Sequence, residues 1–184
     1  MTLAGNETIA TERLDLEPIE RRHAALLHSV LDDARIYRYL PGGPPTSTAA
    51  LADRYEQLES RLSPDGKERW LNWAMRRRED GVYLGTIQAT IRADASGYLA
   101  YVLGTRHQRA GFATEACTAT LTVLFLELCV PHVMAEVDTR NLASIGLLER
   151  LGFQRIGFQK DADFFDGHSS DEYVYDLAAS SWRG

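Results

Sequence analysis

The residues with the clearest chemical potential lie in one stretch, Val102-Leu103-Gly104-Thr105-Arg106-His107-Gln108-Arg109-Ala110-Gly111-Phe112-Ala113-Thr114-Glu115. An apolar strand signal runs into a short loop of small and basic residues, and a helix signal follows directly. The first N–H groups of a helix lack intrahelical partners and sit at the positive end of its dipole, so such a loop can hold an anion. Gly111 lets a phosphate approach the backbone, and Ala113 is nearly as small. Arg106 and Arg109 add charge where a diphosphate needs it. Taken alone, the stretch reads equally as an ordinary strand-to-helix turn with solvated arginines. It lacks the Gly-Lys-Ser/Thr ending of a nucleoside-triphosphate loop and the three glycines of a dinucleotide fingerprint.

Other candidates are thinner. Glu136 and Asp138 share one face of a predicted strand by the two-residue period, and either could act as a base, directly or through water. Strand carboxylates are as commonly solvated or salt-bridged. Asp161, Asp163, Asp166 and Glu172 have some of the spacing of a calcium loop, but Phe165 replaces a ligand and Asp166 sits where glycine is required. An acidic loop that receives a cationic substrate accounts for them better. The five histidines show no metal-ligand spacing, and no metal is expected. Arg76-Arg77-Arg78 reads as a solvated hairpin edge. Cys117 and Cys129 fall at the two ends of one predicted helix, about 18 Å apart at the helical rise. They read as two buried thiols, not a disulfide.

Strand signals cover residues 13–17, 70–76, 82–91, 98–103, 132–138, 153–159 and 171–177; helix signals cover 20–31, 48–62, 111–128 and 144–151. Pro41-Gly42-Gly43-Pro44-Pro45 must be a loop, and Thr46-Ser47-Thr48 offers caps to the helix after it. The order of elements predicts an α/β fold of the α+β type. Its sheet is mostly antiparallel and seven-stranded, with about four flanking helices. One domain is expected over residues 1–184, with 1–11 a flexible N-terminal segment. The net charge of -6 excludes a global basic field for nucleic acid or an anionic membrane. The longest apolar run, 121–130, is interrupted by Glu127 and too short to span a bilayer. Residues 1–10 lack the features of a signal peptide. A cytoplasmic protein is expected.

Gln108-Arg109-Ala110-Gly111-Phe112-Ala113 resembles the Gln/Arg-x-x-Gly-x-Gly/Ala signature of the GNAT (GCN5-related N-acetyltransferase) superfamily, with Arg109 where many members have glycine. The run 111–116 resembles the RimJ/RimL branch. Asp138-Thr139-Arg140-Asn141-Leu142-Ala143-Ser144, followed by Leu148-Glu149-Arg150-Leu151-Gly152-Phe153, resembles the family's second motif. The joint match, in order and spacing, spans about residues 13–177.

The resemblance implies a twisted sheet and transfer of acetyl from acetyl-CoA to a primary amine by direct attack, with both substrates bound together. It places the coenzyme pyrophosphate on the backbone amides of the 108–114 loop, Thr114 included. It puts oxyanion donors near Val102 and Leu103, and Asn141 against the coenzyme arm. Many members carry a proton-donating tyrosine where this chain has Leu148; Ser144 is the substitute, and Glu136 is the candidate base. The loop from Leu40 to Thr46 would border the acceptor groove.

An α-amine with a pKa near 7.8 is about 14% neutral at pH 7, and a lysine-like amine about 0.04%, a difference of roughly 3.5 kcal/mol. The absence of a strong base therefore favours the α-amine of a protein or peptide. A small-molecule amine (polyamine, amino acid or aminoglycoside) and a non-catalytic coenzyme A-binding module stay open. Family members range from monomers to higher assemblies, so a homodimer is within the expected range.

Overall fold

Leu71, Trp73 and Met75 alternate with Asn72 and Ala74 along one strand, and that period divides the interior in two. In the computed structural model, which describes residues 7–165 and 167–184, this strand is the third in an eight-stranded sheet. The strands are β1 (Ile9–Ala10), β2 (Leu14–Pro18), β3 (Arg69–Arg77), β4 (Tyr83–Ile91), β5 (Gly97–Leu103), β6 (His132–Asp138), β7 (Gln154–Phe165) and β8 (His168–Ala178). Their spatial order is β1-β2-β3-β4-β5-β6-β8-β7. Every neighbouring pair is antiparallel except β5 with β6.

Four α-helices flank the sheet among the described residues: α1 (His23–Leu31), α2 (Thr48–Leu58), α3 (Phe112–Thr122) and α4 (Leu142–Arg150). Leu71, Trp73 and Met75 join the larger core with Phe112, Ala116, Cys117 and Leu121 of α3 and Leu147 and Leu148 of α4. Ala74 faces the smaller core, built from Ala24, Leu27 and Leu31 of α1 and Leu51, Tyr55 and Leu58 of α2.

All seven expected strands are present, and β1 is an addition. Ile9 and Ala10 pair with Leu16 and Asp15, so part of the segment expected to be flexible extends the sheet; residues 1–6 of that segment lie outside the described residues. Ser47 caps α2 by accepting from the Ala50 amide at 3.0 Å. Gly152, at φ +93°, closes α4, with Phe153 N donating to Leu148 O at 3.1 Å.

Other local expectations shift. A 3-10 turn at Ala34–Tyr39 went unanticipated. α3 gives way to a π-helical turn over Val123–Glu127, in which Leu128 N reaches Val123 O. Cys129 is exposed, not buried. The arginine run is only partly solvated: Arg78 is exposed, whereas Arg76 binds Asp15 and Glu17 on β2, each at 2.6 Å, and Arg77 pairs with Asp80.

The feature that makes a site is a failed pairing. β5 and β6 share register only at Gly97↔Val133 and Tyr98↔Met134. Beyond these positions they diverge, and the β5 backbone from Leu99 onward has no β6 partner. Across the sheet, β5 remains zipped to β4 as far as Leu103↔Gly85. A Cβ at Gly85 would lie 2.0 Å from Val102 O, so only glycine permits this approach.

Candidate active site

The divergence opens a cleft of about 700 Å³ between β5 and β6. At one end stands the start of α3. Its N-cap, Gly111, sits at φ +84° and supplies no side-chain cap, and the first helical hydrogen bond is Glu115 N to Gly111 O. The amides of Phe112, Ala113 and Thr114 precede that bond and have no intrahelical acceptor. All three residues line the cleft with Gly111.

Arg109 also lines the cleft and adopts φ +65°, a left-handed conformation rare outside glycine. That geometry explains why glycine suits this position; arginine accepts the strain and adds a charge. Gln108 lines the cleft too, and its side-chain amide donates to Leu103 O at 3.0 Å, tying the loop to the end of β5.

Two expected residues stand apart: Arg106 is exposed in the 3-10 turn Thr105–His107, and Ala110 is exposed behind the loop. Neither lines the cleft. Ala110 instead gives its carbonyl to Arg13 Nη1 at 3.0 Å. Arg13 also binds Glu115 at 2.7 Å, and its guanidinium lies 4.6 Å from the centre of the Phe112 ring. This clamp neutralises the only acidic residue in the first turn of α3, next to the open amides.

Val102 and Leu103 of β5 and Asn141 and Ser144 at the start of α4 line the cleft as well. Asn141 Oδ1 accepts from Ser144 N at 3.2 Å as the helix cap, which leaves its amide NH₂ free to donate elsewhere. Ser144 Oγ lies 2.6 Å from Tyr101 Oη. Burial pushes the Tyr101 phenol up to about 12, against the opposing pull of the Ser144 hydrogen bond. Tyr101 is the residue that the sequence did not reveal. The one available signal was its alternation with Leu99 and Leu103 on β5. Leu148, at the position where the resemblance implies a tyrosine, is buried and lines the cleft without offering a proton.

The other end of the cleft is acidic. Glu136 is exposed and lines it, as does Glu172, which stands opposite Asp138 across the β6–β8 ladder. Burial raises the Glu172 carboxyl, helped by the charges of Asp163, Glu136 and Asp138.

Asp138 behaves in the opposite sense. Burial alone would raise it, but hydrogen bonds from Arg140 and Ser170 overcome burial and hold it at about 2. With both oxygens occupied by these partners, Asp138 is an anchor and not an available base. Asp166, part of the acidic loop noted in the sequence, lies outside the described residues.

Ile36, Tyr39, Leu40 and Pro41 also line the cleft, so of the loop from Leu40 to Thr46 only its first two residues reach it. Among the described residues, no helix is long and apolar enough to cross a membrane.

Comparison with known proteins agrees with this architecture. Residues 13–154 match the family model described as acetyltransferase (GNAT) domain. The uncharacterized N-acetyltransferase p20 of Bacillus licheniformis is 26% identical over 97% of this chain and 99% of its own length. Among solved structures, RimL, a ribosomal L7/L12 alpha-N-protein acetyltransferase in complex with coenzyme A, superposes with a TM-score of 0.81. It is 20% identical, over 94% of this chain and 98% of that one. Spermidine N-acetyltransferase from Vibrio cholerae, in complex with CoA and spermine, gives 0.79 at 21% identity, over 93% and 98%. With the family model spanning most of the chain, the chain belongs to the GNAT superfamily and is an N-acetyltransferase.

Proposed function

We propose that the protein transfers the acetyl group of acetyl-CoA to the α-amine of a protein or peptide, with both substrates in one complex. The observation that carries this reading is the cleft between the diverging strands, which brings together open helix amides, a hydroxyl pair and carboxylates. The chain would act as one domain.

The residues fit the donor. The unclaimed amides of Gly111, Phe112, Ala113 and Thr114, with the charge of Arg109, would hold the pyrophosphate. Gln108 would keep the loop docked on Leu103. Asn141 would contact the pantetheine arm. Adjacent strand amides alternate in direction. With Gly104 N donating to Leu84 O and Val102 paired to Thr86 on β4, the Leu103 amide is the one turned to the cleft. It would donate to the oxyanion that develops as the amine attacks the thioester.

As the C–S bond breaks, the sulfur takes up negative charge. Ser144 would donate its hydroxyl proton towards it. Tyr101, kept protonated by burial, would donate to Ser144 Oγ, so that the serine hydrogen points at the sulfur and not back at the phenol. The amine proton leaves towards the acidic end. Glu136 would receive it, directly or through water, with Glu172 behind it. A carboxyl with a raised pKa is a better-matched base near neutrality than one in its ordinary range.

A second reading is supported by the same carboxylates: a cationic small amine such as a polyamine would also be drawn to them. Free-thiol release from acetyl-CoA separates the two. One acceptor pool would hold lysine-free peptides with free N-termini, the other polyamines, amino acids and aminoglycosides. Turnover with the peptide pool supports the first reading; turnover confined to polyamines replaces it with the second.

A further inference from the structure

We propose that the acceptor carries a carboxylate a few bonds from its reacting amine, and that a cationic subsite centred on Arg38 receives it. This rests on the α-amine reading above and narrows its substrate class.

Next to the main cleft lies a second cavity of about 440 Å³, lined by Arg38, Tyr39, Arg140, Phe165 and His168. Tyr39 lines both cavities, so the second opens beside the acceptor end of the first. Two guanidinium groups converge on its ring: Arg38 at 5.2 Å and Arg140 at 5.9 Å from the centroid. Their charges are not matched alike. Arg140 spends Nε and Nη2 on Asp138, leaving Nη1 free for another acceptor. Arg38 is exposed, and no ion-pair partner is found for it among the described residues. Three residues earlier, Arg35 is held by Asp33 at 2.8 Å.

The charge of Arg140 is met by Asp138, so the unmatched positive charge beside the ring is that of Arg38, and an anion held between the two guanidinium groups would match it. His168 adds ring nitrogens to the rim, and Phe165 an apolar wall. In a chain of net charge -6, this pocket is a local exception beside a cleft whose own acidic end suits an amine. The two together describe an amphoteric acceptor, with its amine facing Glu136 and Glu172 and its carboxylate facing Arg38 and Arg140. The carboxylate could be the free terminus of an amino acid or dipeptide, or an acidic side chain near a peptide N-terminus.

The test uses matched acceptors in the thiol-release assay with the full chain. One pair is a dipeptide and its C-terminal amide. Another is a C-terminally amidated peptide with Asp, or with Asn, at its second position. The carboxylate member of at least one pair should show a KM lower by roughly tenfold, the scale of one charge-assisted hydrogen bond. The pair that shows it identifies the source of the carboxylate. Arg38→Gln, at an exposed position, should bring that ratio close to one, and Arg38→Lys should keep part of it. Arg140 is left intact because it also anchors Asp138. Equal use of acid and amide partners overturns the subsite while leaving α-amine transfer standing. A ratio that survives Arg38→Gln overturns it too. Turnover of polyamines alone overturns both readings.

Discussion

Tyr101 Oη and Ser144 Oγ lie 2.6 Å apart, a contact between residues 43 positions apart in the chain. β5 supplies one hydroxyl and the first turn of α4 the other, and both face the cleft. If Tyr101 orients the serine proton, Tyr101→Phe should lower kcat by roughly tenfold with little change in the KM for acetyl-CoA. Ser144→Ala should cost roughly 10- to 100-fold. That is modest for a proton donor, because a thiolate of reference pKa near 8.5 leaves fairly well unaided. The double variant should be no slower than Ser144→Ala, since the two hydroxyls act in series. A thioester with a more acidic thiol should narrow every difference, an effect that mere loss of packing would not produce.

The acidic end should govern the pH profile. The Glu172 carboxyl is raised by burial and then by neighbouring negative charge, so its conjugate base forms at higher pH than usual. The acid limb of kcat/KM should follow it, with activity rising as the group deprotonates. Glu136→Gln removes one of those neighbouring charges and should move what remains of the limb to lower pH, along with a drop in rate. Glu172→Gln should remove the part of the limb that Glu172 sets. A limb unmoved by either substitution would assign proton removal elsewhere.

Arg109 sits at φ +65°, where a Cβ is strained. Arg109→Gly should relieve strain of about 1 kcal/mol, partly offset by the greater freedom of glycine in the unfolded chain. The midpoint of thermal unfolding should therefore hold or rise slightly. The lost charge should raise the KM for acetyl-CoA several-fold, the rise shrinking in high salt. A variant of reduced stability and unchanged KM would deny Arg109 its place at the pyrophosphate.

Asp138 is held at about 2 in the fold, below the ordinary carboxylate value. A depressed folded pKa contributes stability above the unfolded value near 4, and that stability is lost as pH falls from about 4 to about 2. For this buried carboxylate the gain is about 2 kcal/mol at neutral pH. Asp138→Asn should cost at least that at pH 7, because Arg140 loses its partner, and the gap to wild type should close near pH 2. Denaturant unfolding across that range measures it. Glu17 is depressed to about 2 as well: burial works against it, and hydrogen bonds with His23, Tyr83 and Arg76 outweigh burial. It therefore adds acid sensitivity in the same window in both proteins.

What the sequence by itself determined is what short-range pattern determines. The two-residue period placed seven strands, the caps at Ser47 and Gly152 placed helix ends, and the run from Gln108 to Ala113 marked the turn from β5 into α3, because each depends on neighbours a few positions away. The tertiary structure alone decided the rest. Asp138 and Glu136 share a strand face and look alike as candidate bases, yet the arrival of Ser170 from β8, together with Arg140, occupies one and leaves the other open. Tyr101 reads as one more apolar strand residue until α4 folds back and sets Ser144 against it. Arg106 and Arg109 looked equivalent, and the turn of the loop put only Arg109 into the cleft. The cleft itself comes from β5 and β6 parting after two paired positions. Pairing between strands distant in the chain leaves no local trace, because it is set by what packs between them.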